Sequence, residues 1–553
     1  TLGGLRFFVE TLPACGGRHG YQAVVDGKRP LIGLPCADEA EALQRGIAAA
    51  RAKIDEVLDA YQAEGVSAAR GRTARTFDGL RAAPTALRAV LTGHAHIDLV
   101  WLWPEVVGEF KAVHTFATAN RLMQAYPEFR FGYSQPASYE AVGRRSPEMM
   151  AAVRERLASG QWDATGATEV ESDTLLACGE ALARSFLVGQ RRFAELRGSP
   201  ARVLWLPDVF GYAPCLPQIM KQTGVEYFYT TKLSWSAVSS FPNTSFVWRG
   251  HDGSEVVTHL GCRLGYNQTA EAAHLDVNAR EHRQSDVHGE FLAPTGYGDG
   301  GGGTTEAMCE RARRFADIAG LPRAGWGNIE PFFDRLAARR DQLPTYQGEL
   351  YLEYHRGTYT THGDIKRGMR RAERALQVLE AVRCAQGGAP VDEALWRRVV
   401  FAQFHDYIPG SSIHEVYVEA RAELARITAQ ALDAARTELA AGGTGLFNPL
   451  PRARTRAGLQ EIPQMLARGK ATLAGVQQQL FANHHLLGQL VMPDLLAACA
   501  RALPGPDADL LQAFDLLTLH TVEHFAQEDR WMAATGFAAG NCHAYQHQAV
   551  LAV

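Results

Sequence analysis

The sequence LRAVLTGHAHID, at residues 87–98, joins a short apolar segment to a cluster of histidine and aspartate side chains. Its largely aliphatic first half, Leu87–Thr92, favours a buried strand. A helix is predicted at residues 147–159. Further strands are predicted at residues 129–134, 203–206 and 227–231. Because strands and helices alternate along this region, the sequence predicts a parallel α/β fold.

The composition of the 553 residues is that of a folded protein with three or four domains. Hydrophobic residues make up 46% and charged residues 21%, which excludes wholesale disorder. With no run of about 18 apolar residues and a net charge of −4, neither a membrane nor a nucleic acid is expected as a partner. Nine cysteines without a CxxC pair, and no visible signal peptide, predict a cytoplasmic location.

Two residues of the opening segment, His96 and Asp98, carry side chains suited to metal binding. Residues two apart on an extended chain project to the same side. Neutral imidazole and carboxylate together are a common donor set for Zn²⁺. The alternative is a polar strand end whose histidines only form hydrogen bonds, and the spacing alone leaves both interpretations open.

Three later segments add further polar side chains. Asp208 follows a predicted strand, where α/β proteins gather their ligands, although a helix-capping aspartate gives the same pattern. His405 ends a helix predicted over 392–405 and is by default a helix-terminal residue. The sequence GYGDGGGG at 296–303 contains Asp299 but lacks the Lys-Ser/Thr ending of a phosphate-binding loop. Its six glycines predict a mobile backbone near a ligand.

Together these segments resemble glycoside hydrolase family 38, the zinc-dependent retaining α-mannosidases, over about residues 85–450. The motifs that carry the resemblance are GHAHIDLVWLWP (93–104), Ser134-Gln135, GEALARS (179–185), WLPDVFGYAPCLPQIM (205–220), KLSW (232–235), WRGHDGS (248–254), GDGGGG (298–303), GELYLEYHRGTYT (348–360) and QFHDYIPGSSI (403–413). The resemblance implies a distorted (β/α) barrel as the catalytic domain, followed by a helical-bundle domain. It also implies an α-mannoside, in an oligosaccharide or glycoside, as substrate.

The resemblance further implies roles for single residues. The family's zinc ligands fall on His96, Asp98, Asp208 and His405. Asp208 is also the family's nucleophile, which forms a covalent glycosyl-enzyme, and Asp299 best matches the general acid/base. Arg356 and Asp406 fall in motifs that line the sugar site. Zinc in this family orients the 2- and 3-hydroxyl groups of the mannose.

Five segments are predicted at the level of domains. They are a remnant of an N-terminal β-domain with a helical linker (1–84), the barrel (85–362), a helical middle domain (363–440), a junction (441–460) and a separate C-terminal helical bundle (461–553). Two departures from the family pattern predict altered or lowered activity. Where the family usually reads Trp-Val-Glu, this chain reads Glu169-Val170-Glu171, and of the family's later β-domains only the opening, at 445–451, is recognised.

The C-terminal segment differs from the rest in charge and in histidine content. Residues 460–553 carry 4 basic and 8 acidic side chains, which accounts for the whole net charge. His524 with Glu528, and His543 with His547, are pairs four apart, each on one helix face. Helical bundles hold two irons with such pairs, although solvated helix faces give the same spacing.

The joint spacing of these pairs resembles the bacterial haemerythrin family over about residues 478–553. This resemblance implies bound iron, with His484 as the first-helix ligand and His485 as a rival for that role. The family's last ligand-bearing helix is not matched, so an incomplete di-iron site is expected.

The leading hypothesis is therefore a retaining α-mannosidase with a haemerythrin-like C-terminal segment. A metal-dependent sugar deacetylase is an alternative, since an Asp/His metal site in an α/β barrel also suits amide hydrolysis. Release of sugar rather than acetate would distinguish the two. A third hypothesis is an iron- or oxygen-binding module on an inactive scaffold, which iron-dependent absorption without glycosidase turnover would support. The sequence leaves the oligomeric state open.

Overall fold

Strands and helices alternate between Arg88 and Gln347. The computed structural model describes residues 7–12, 20–25, 29–30, 39–77, 81–236, 238–387 and 391–441. The strands are β1 (Phe7–Leu12), β2 (Gly20–Val25), β3 (Arg29–Pro30), β4 (Arg88–Gly93), β5 (Phe131–Tyr133), β6 (Trp162–Ala164), β7 (Val203–Trp205), β8 (Tyr227–Thr230), β9 (Ser245–Arg249), β10 (Glu255–Leu260), β11 (Glu290–Thr295), β12 (Arg323–Trp326) and β13 (Thr345–Gln347).

The helices lie between the strands along the chain or follow the last strand. They are α1 (Glu39–Glu64), α2 (Val66–Phe77), α3 (Glu105–Ala125), α4 (Pro136–Arg145), α5 (Pro147–Ala158), α6 (Gly179–Arg197), α7 (Leu216–Gln222), α8 (Ala272–Glu281), α9 (Glu306–Arg314), α10 (Ile329–Ala337), α11 (Gly363–Ala385), α12 (Glu393–Phe401) and α13 (His414–Ala441). Short 3₁₀ turns occupy Lys232–Ser234, Arg340–Gln342 and Arg356–Tyr359. None of the described helices is long and apolar enough to cross a membrane.

Two sheets form a distorted barrel. The first has the strand order β11-β4-β5-β6, with β12 also parallel to β4, and the second has the order β13-β9-β10-β8-β7. Apart from the antiparallel pair β9 and β10, neighbours in both sheets are parallel. Single parallel bridges, from Gly166 to Leu204 and from Gln268 to Thr295, connect the sheets on both sides. The predicted α/β fold class is therefore confirmed.

The central strand β4 is buried on both faces. Ala89, Val90 and Leu91 are each at most 1% exposed, which is typical of a parallel strand covered by helices on one side and barrel side chains on the other. Gly93, at its end, lies so close to the Phe129 ring that a Cβ atom would come within 2.5 Å of it. The close packing at Gly93 therefore fixes the direction in which the chain continues into residues 94–98.

The helical region after the barrel has its own core. Leu376 of α11, Trp396 of α12 and Tyr417 of α13 are almost fully buried in it. The predicted helix over 392–405 was wrong at its C-terminal end, because α12 ends at Phe401. The backbone then forms tight turns, and the N–H of His405 donates to the carbonyl of Glu171 instead of continuing the helix.

Some predicted elements fall outside the described residues. These are the junction at 442–460, the C-terminal bundle, and the iron ligands proposed for it, His484, His524, Glu528, His543 and His547. Before the barrel, the described segments form the antiparallel pairs β1–β2 and β2–β3 and the helices α1 and α2.

Candidate metal centre and active site

The residues of the predicted site lie at the carboxyl ends of the parallel strands. His96 and Asp98 follow β4, Asp208 follows β7, and Asp299 follows β11. In (β/α) barrels the loops at this end carry the catalytic groups. His405 reaches the same place from the turns after α12.

The four residues predicted as zinc ligands surround one small space. Nε2 of His96 is 2.9 Å from Oδ1 of Asp98. Nε2 of His405 is 3.2 Å from the same oxygen and 3.6 Å from Oδ2 of Asp208. All four side chains are buried. Donor atoms of His96, Asp208 and His405 lie within 4.8 Å of one another.

The donor atoms of this cluster fit a divalent cation. Within the described residues, Nε2 of His405 is buried without a hydrogen-bond partner, although carboxylate oxygens surround it. A third carboxylate, of Asp406, lies 3.7 Å from the same nitrogen. Buried carboxylates repel one another unless a cation lies between them, and imidazole with carboxylate is a suitable ligand set for Zn²⁺.

The same crowding shifts the pKa values of the cluster. Burial lowers the pKa of His96, but the carboxylates of Glu171 and Asp98 outweigh it and hold that pKa well above its usual range. Burial likewise disfavours the charged form of His405. Asp98 favours that form, and the pKa of His405 rises to about 9. Burial and the charge of Asp98 raise the pKa of Asp406 to about 8. A bound metal ion would compete with protons for the histidine nitrogens.

Asp208 is held by a lysine that was not among the predicted site residues. Nζ of Lys232, at the end of β8, donates to Oδ1 of Asp208 at 2.5 Å. The ammonium also lies 3.8 Å from the centre of the Trp235 ring. Burial raises the pKa of Asp208, but Lys232 and the two histidines more than offset this and lower it. Asp208 is therefore ionised at neutral pH.

A single hydroxyl group connects the two predicted catalytic carboxylates. The phenol of Tyr266, in the segment after β10, is 2.9 Å from Oδ1 of Asp208 and 2.6 Å from Oδ1 of Asp299. These two oxygens are therefore at most about 5.5 Å apart, which does not exceed the 5–5.5 Å that retaining glycosidases use between their carboxyl groups.

The glycine-rich loop around Asp299 packs closely against the metal cluster. The backbones of Tyr297 and Gly303 exchange two hydrogen bonds, and the N–H of Asp98 donates to the carbonyl of Asp299 at 2.9 Å. Gly301 has a φ of +73°, and a Cβ atom there would lie 2.5 Å from Oγ1 of Thr115. The loop is therefore paired, and its glycines permit close approach, while the mobility predicted for this backbone stays a prediction.

The two predicted sugar-site residues have different surroundings. Asp406 is buried beside the cluster, where it accepts a hydrogen bond from Ser411. Arg356 is exposed, and its Nε donates to the Tyr351 hydroxyl rather than to any residue of the cluster. The ring of the neighbouring residue, His355, packs against the ring of Phe210.

Glu169, where the resembling family usually has tryptophan, points away from the metal cluster. Its carboxylate lies between Arg192 and Arg397, at 3.3 and 3.2 Å. Burial raises its pKa to about 7 although both guanidinium groups oppose the shift. The carboxylate therefore belongs to an internal ion-pair group with α6 and α12.

The fold and the cluster together define an α/β barrel with a histidine–carboxylate centre at its catalytic end. Residues 86–349 match the N-terminal domain of glycosyl hydrolases family 38, and residues 353–441 match the alpha mannosidase middle domain. Residues 86–441 therefore belong to glycosyl hydrolase family 38, as their motifs predicted.

Curated relatives agree with this assignment, and a solved structure agrees with the fold. The chain is 40% identical over 378 residues to Alpha-mannosidase 2C1 of Homo sapiens, which covers 65% of the chain and 36% of that protein. The fold matches the crystal structure of an alpha-mannosidase from Enterococcus faecalis with a TM-score of 0.55 at 18% identity, covering 64% of this chain and 43% of that one. The chain spans about a third of the length of the curated α-mannosidases it matches.

A second, short similarity concerns another class of protein. Over 47 residues the chain is 43% identical to Bacteriohemerythrin of Ralstonia nicotianae. The match covers 8% of this chain and 34% of that protein. It agrees with the predicted haemerythrin resemblance and leaves the proposed iron ligands as a prediction.

Proposed function

We propose that this chain is a retaining α-mannosidase whose site holds one zinc ion between His96, Asp98, Asp208 and His405. The observation that carries the proposal is the contact of Tyr266 with both Asp208 and Asp299, which holds two carboxyl oxygens within about 5.5 Å of each other. A double displacement needs two carboxyl groups this close. Family membership supports α-mannosides as the substrate class.

In the first half of the reaction, the Asp208 carboxylate attacks the anomeric carbon of the mannose. The bond from that carbon to the glycosidic oxygen breaks, and protonated Asp299 gives its proton to the departing oxygen. In the second half, Asp299 takes a proton from water as the water oxygen attacks the same carbon. As the new bond forms, the ester bond from that carbon to Asp208 breaks, and mannose leaves with its original anomeric configuration.

The polar neighbours of Asp208 fit the role of a nucleophile. Lys232 and Tyr266 both reach Oδ1, so the carboxylate is oriented before substrate arrives. Asp406, buried beside the cluster, is suited to hold a sugar hydroxyl group. Zinc, when bound, supplies Lewis acidity and positive charge next to the sugar hydroxyl groups.

The test combines metal analysis with an aryl-α-mannoside assay on the purified chain. We expect one zinc per chain at the barrel site, turnover that a chelator abolishes, and release of the α-anomer of mannose. Inverted product would reject the double displacement, and release of acetate from an acetylated sugar without glycoside cleavage would favour a deacetylase.

Arg356 is proposed for the sugar site on motif resemblance alone, since in the structure it contacts Tyr351. We expect Arg356→Ala to raise KM for mannosides with little change in zinc content. The exposed Arg436 of α13 provides a matched control, Arg436→Ala.

We further propose iron binding by the C-terminal segment. The short similarity to a bacteriohemerythrin supports it. The expected ligands are His484, His524, Glu528, His543 and His547. Iron content should fall in His524→Ala and in His543→Ala, with His520→Ala as the control. Equal iron content in all of these variants would contradict iron binding by the C-terminal segment, and it would not bear on the proposed zinc site of the barrel.

The cytoplasmic location also stays a prediction.

A further inference from the structure

Glu171, between β6 and α6, contacts both histidines of the metal cluster. Its side chain is almost completely buried, at 1% exposure. Oε2 lies 3.0 Å from Nδ1 of His96. Its backbone carbonyl oxygen lies 3.1 Å from Nδ1 of His405 and also accepts the backbone N–H of that residue at 3.2 Å. Glu171 therefore contacts Nδ1 of both His96 and His405.

The position of Glu171 is fixed by the two residues that follow β5. Ser134 donates its hydroxyl hydrogen to Oε1 of Glu171 at 2.5 Å. The side-chain oxygen of Gln135 accepts the Glu171 N–H at 3.1 Å, and its amide nitrogen donates to the carbonyl of Ile97 at 3.0 Å. Gln135 thus connects Glu171 to the backbone between His96 and Asp98.

The contacts at Nδ1 decide which nitrogen of each ring is available for a metal ion. At His405 the carbonyl oxygen of Glu171 can only accept, so it holds the proton on Nδ1. At His96 the contact with Oε2 is an ion-pair contact without hydrogen-bond geometry, and the negative charge favours the proton on the same ring atom. Both contacts leave Nε2 unprotonated and directed away from Glu171. In both rings Nε2 faces Asp98, at 2.9 Å from His96 and 3.2 Å from His405. Carboxylates that accept from the second nitrogen of a ligating histidine also raise its basicity.

We propose that Glu171 is a positioning residue of the metal site, which orients His96 through its carboxylate and His405 through its backbone carbonyl. The proposal rests on the proposed zinc site, and it deepens that site by assigning the group that presents its two imidazoles. Because a substitution changes the carboxylate and keeps the carbonyl, it should act through His96 and leave His405 in place.

The experiment measures zinc affinity by competition with a chromophoric chelator, in four proteins that form a cycle. These are the parent, Glu171→Gln, His96→Ala and the double variant. We expect Glu171→Gln to bind zinc about 10- to 100-fold more weakly than the parent. In the His96→Ala background, measured with a weaker chelator, the same substitution should change the affinity by less than about 2-fold, because its route to the metal is gone.

A control variant and two further measurements separate positioning from general stability. Glu373→Gln, which removes a buried carboxylate far along the chain in α11, should leave zinc affinity within about 2-fold of the parent. Cobalt-substituted Glu171→Gln should show an altered visible spectrum, since that spectrum reports ligand geometry. The thermal midpoint of the zinc-free Glu171→Gln protein should match that of the zinc-free parent.

The outcomes discriminate between this inference and the proposed function. A parent that binds no zinc overturns both. A parent that binds zinc, with Glu171→Gln equally tight or equally weakened in both backgrounds, overturns the role of Glu171 alone. If Glu171→Gln does not fold, Ser134→Ala replaces it, because it frees the carboxylate without removing it. We expect a several-fold weaker affinity there, and unchanged affinity contradicts the inference.

Discussion

The ammonium of Lys232 lies 2.5 Å from Oδ1 of Asp208, and both side chains are buried between Phe210, Trp235 and the metal cluster. A buried ion pair of this kind keeps a carboxylate ionised in a place where burial alone favours the neutral acid. Lys232, at the end of β8, therefore keeps the proposed nucleophile, Asp208, in its ionised form.

We expect Lys232→Met to lower kcat/KM for aryl mannosides by about 100-fold, because a preorganised donor to a reacting carboxylate typically contributes that much. Lys232→Arg keeps the charge and should retain more activity than Lys232→Met. The measurement is steady-state kinetics with the thermal midpoint recorded for each variant. Lys221→Met, on the exposed side of α7, is the control. Equal activity of Lys232→Met and parent would contradict the role of this pair.

The two carboxylates should respond differently to the leaving group. Asp208→Asn is expected to abolish turnover of every mannoside, since each needs a nucleophile. Asp299→Asn should slow substrates with poor leaving groups most, because an activated aryl oxide departs without protonation. Rates are compared for an activated and an unactivated mannoside. An equal loss on both for Asp299→Asn would argue against its role as the acid.

Tyr266 offers a test of the contact between these carboxylates. Its hydroxyl oxygen lies within hydrogen-bond distance of both, and its one hydrogen serves one carboxylate at a time, so Tyr266→Phe removes this shared contact. We expect kcat to fall by about 10- to 100-fold with zinc content unchanged, which separates this role from metal binding. Tyr297→Phe, which changes an exposed tyrosine in the glycine-rich loop of Asp299, is the control. A Tyr266→Phe protein that has lost its zinc would assign the phenol to the metal site instead.

The sequence predicted the α/β fold because short apolar strands, such as those predicted at 87–92 and 203–206, alternate with helical segments. It also predicted which residues converge, since His96, Asp98, Asp208 and His405 stand in motifs shared with the family. Their assignment as ligands stays a prediction.

The residues that hold these groups in place were harder to predict. Tyr266 lies outside the recognised motifs, Lys232 is one cation within KLSW, and Glu171 was noted only as part of a departure from the family pattern. Their roles depend on contacts between strands that are far apart in sequence, such as the 2.9 Å from Tyr266 to Asp208, and spacing along the chain does not encode such contacts.

A contact between distant parts of the chain also decides where the helix α12 ends. Apolar residues continue the helical pattern as far as Phe404, but the N–H of His405 finds its acceptor on Glu171, in a distant loop. Tertiary hydrogen bonding therefore ended the helix four residues before the predicted boundary, and this turn is what directs His405 into the cluster.

A last prediction concerns stability rather than activity, and it involves Asp163 of β6. This carboxylate is buried, and its Oδ2 accepts the N–H of Ile329 at the start of α10 at 2.7 Å. Burial raises its pKa from the ordinary value of 3.8 to about 6, and the hydrogen bond and the nearby Arg197 offset only part of that effect. The folded protein therefore binds a proton at Asp163 more tightly than the unfolded chain does.

The sign of the pH dependence follows from this difference. The stabilising contribution of the bound proton is complete below pH 3.8 and is lost as the pH rises to about 6. Asp163→Asn keeps an oxygen acceptor for Ile329 but carries no charge. It should match the parent near pH 4 and exceed it above pH 6, by up to about 3 kcal/mol. The measurement is urea unfolding at both pH values, with the exposed Asp433→Asn as the control for net charge. A constant difference between Asp163→Asn and parent across this range would show that Asp163 has no raised pKa.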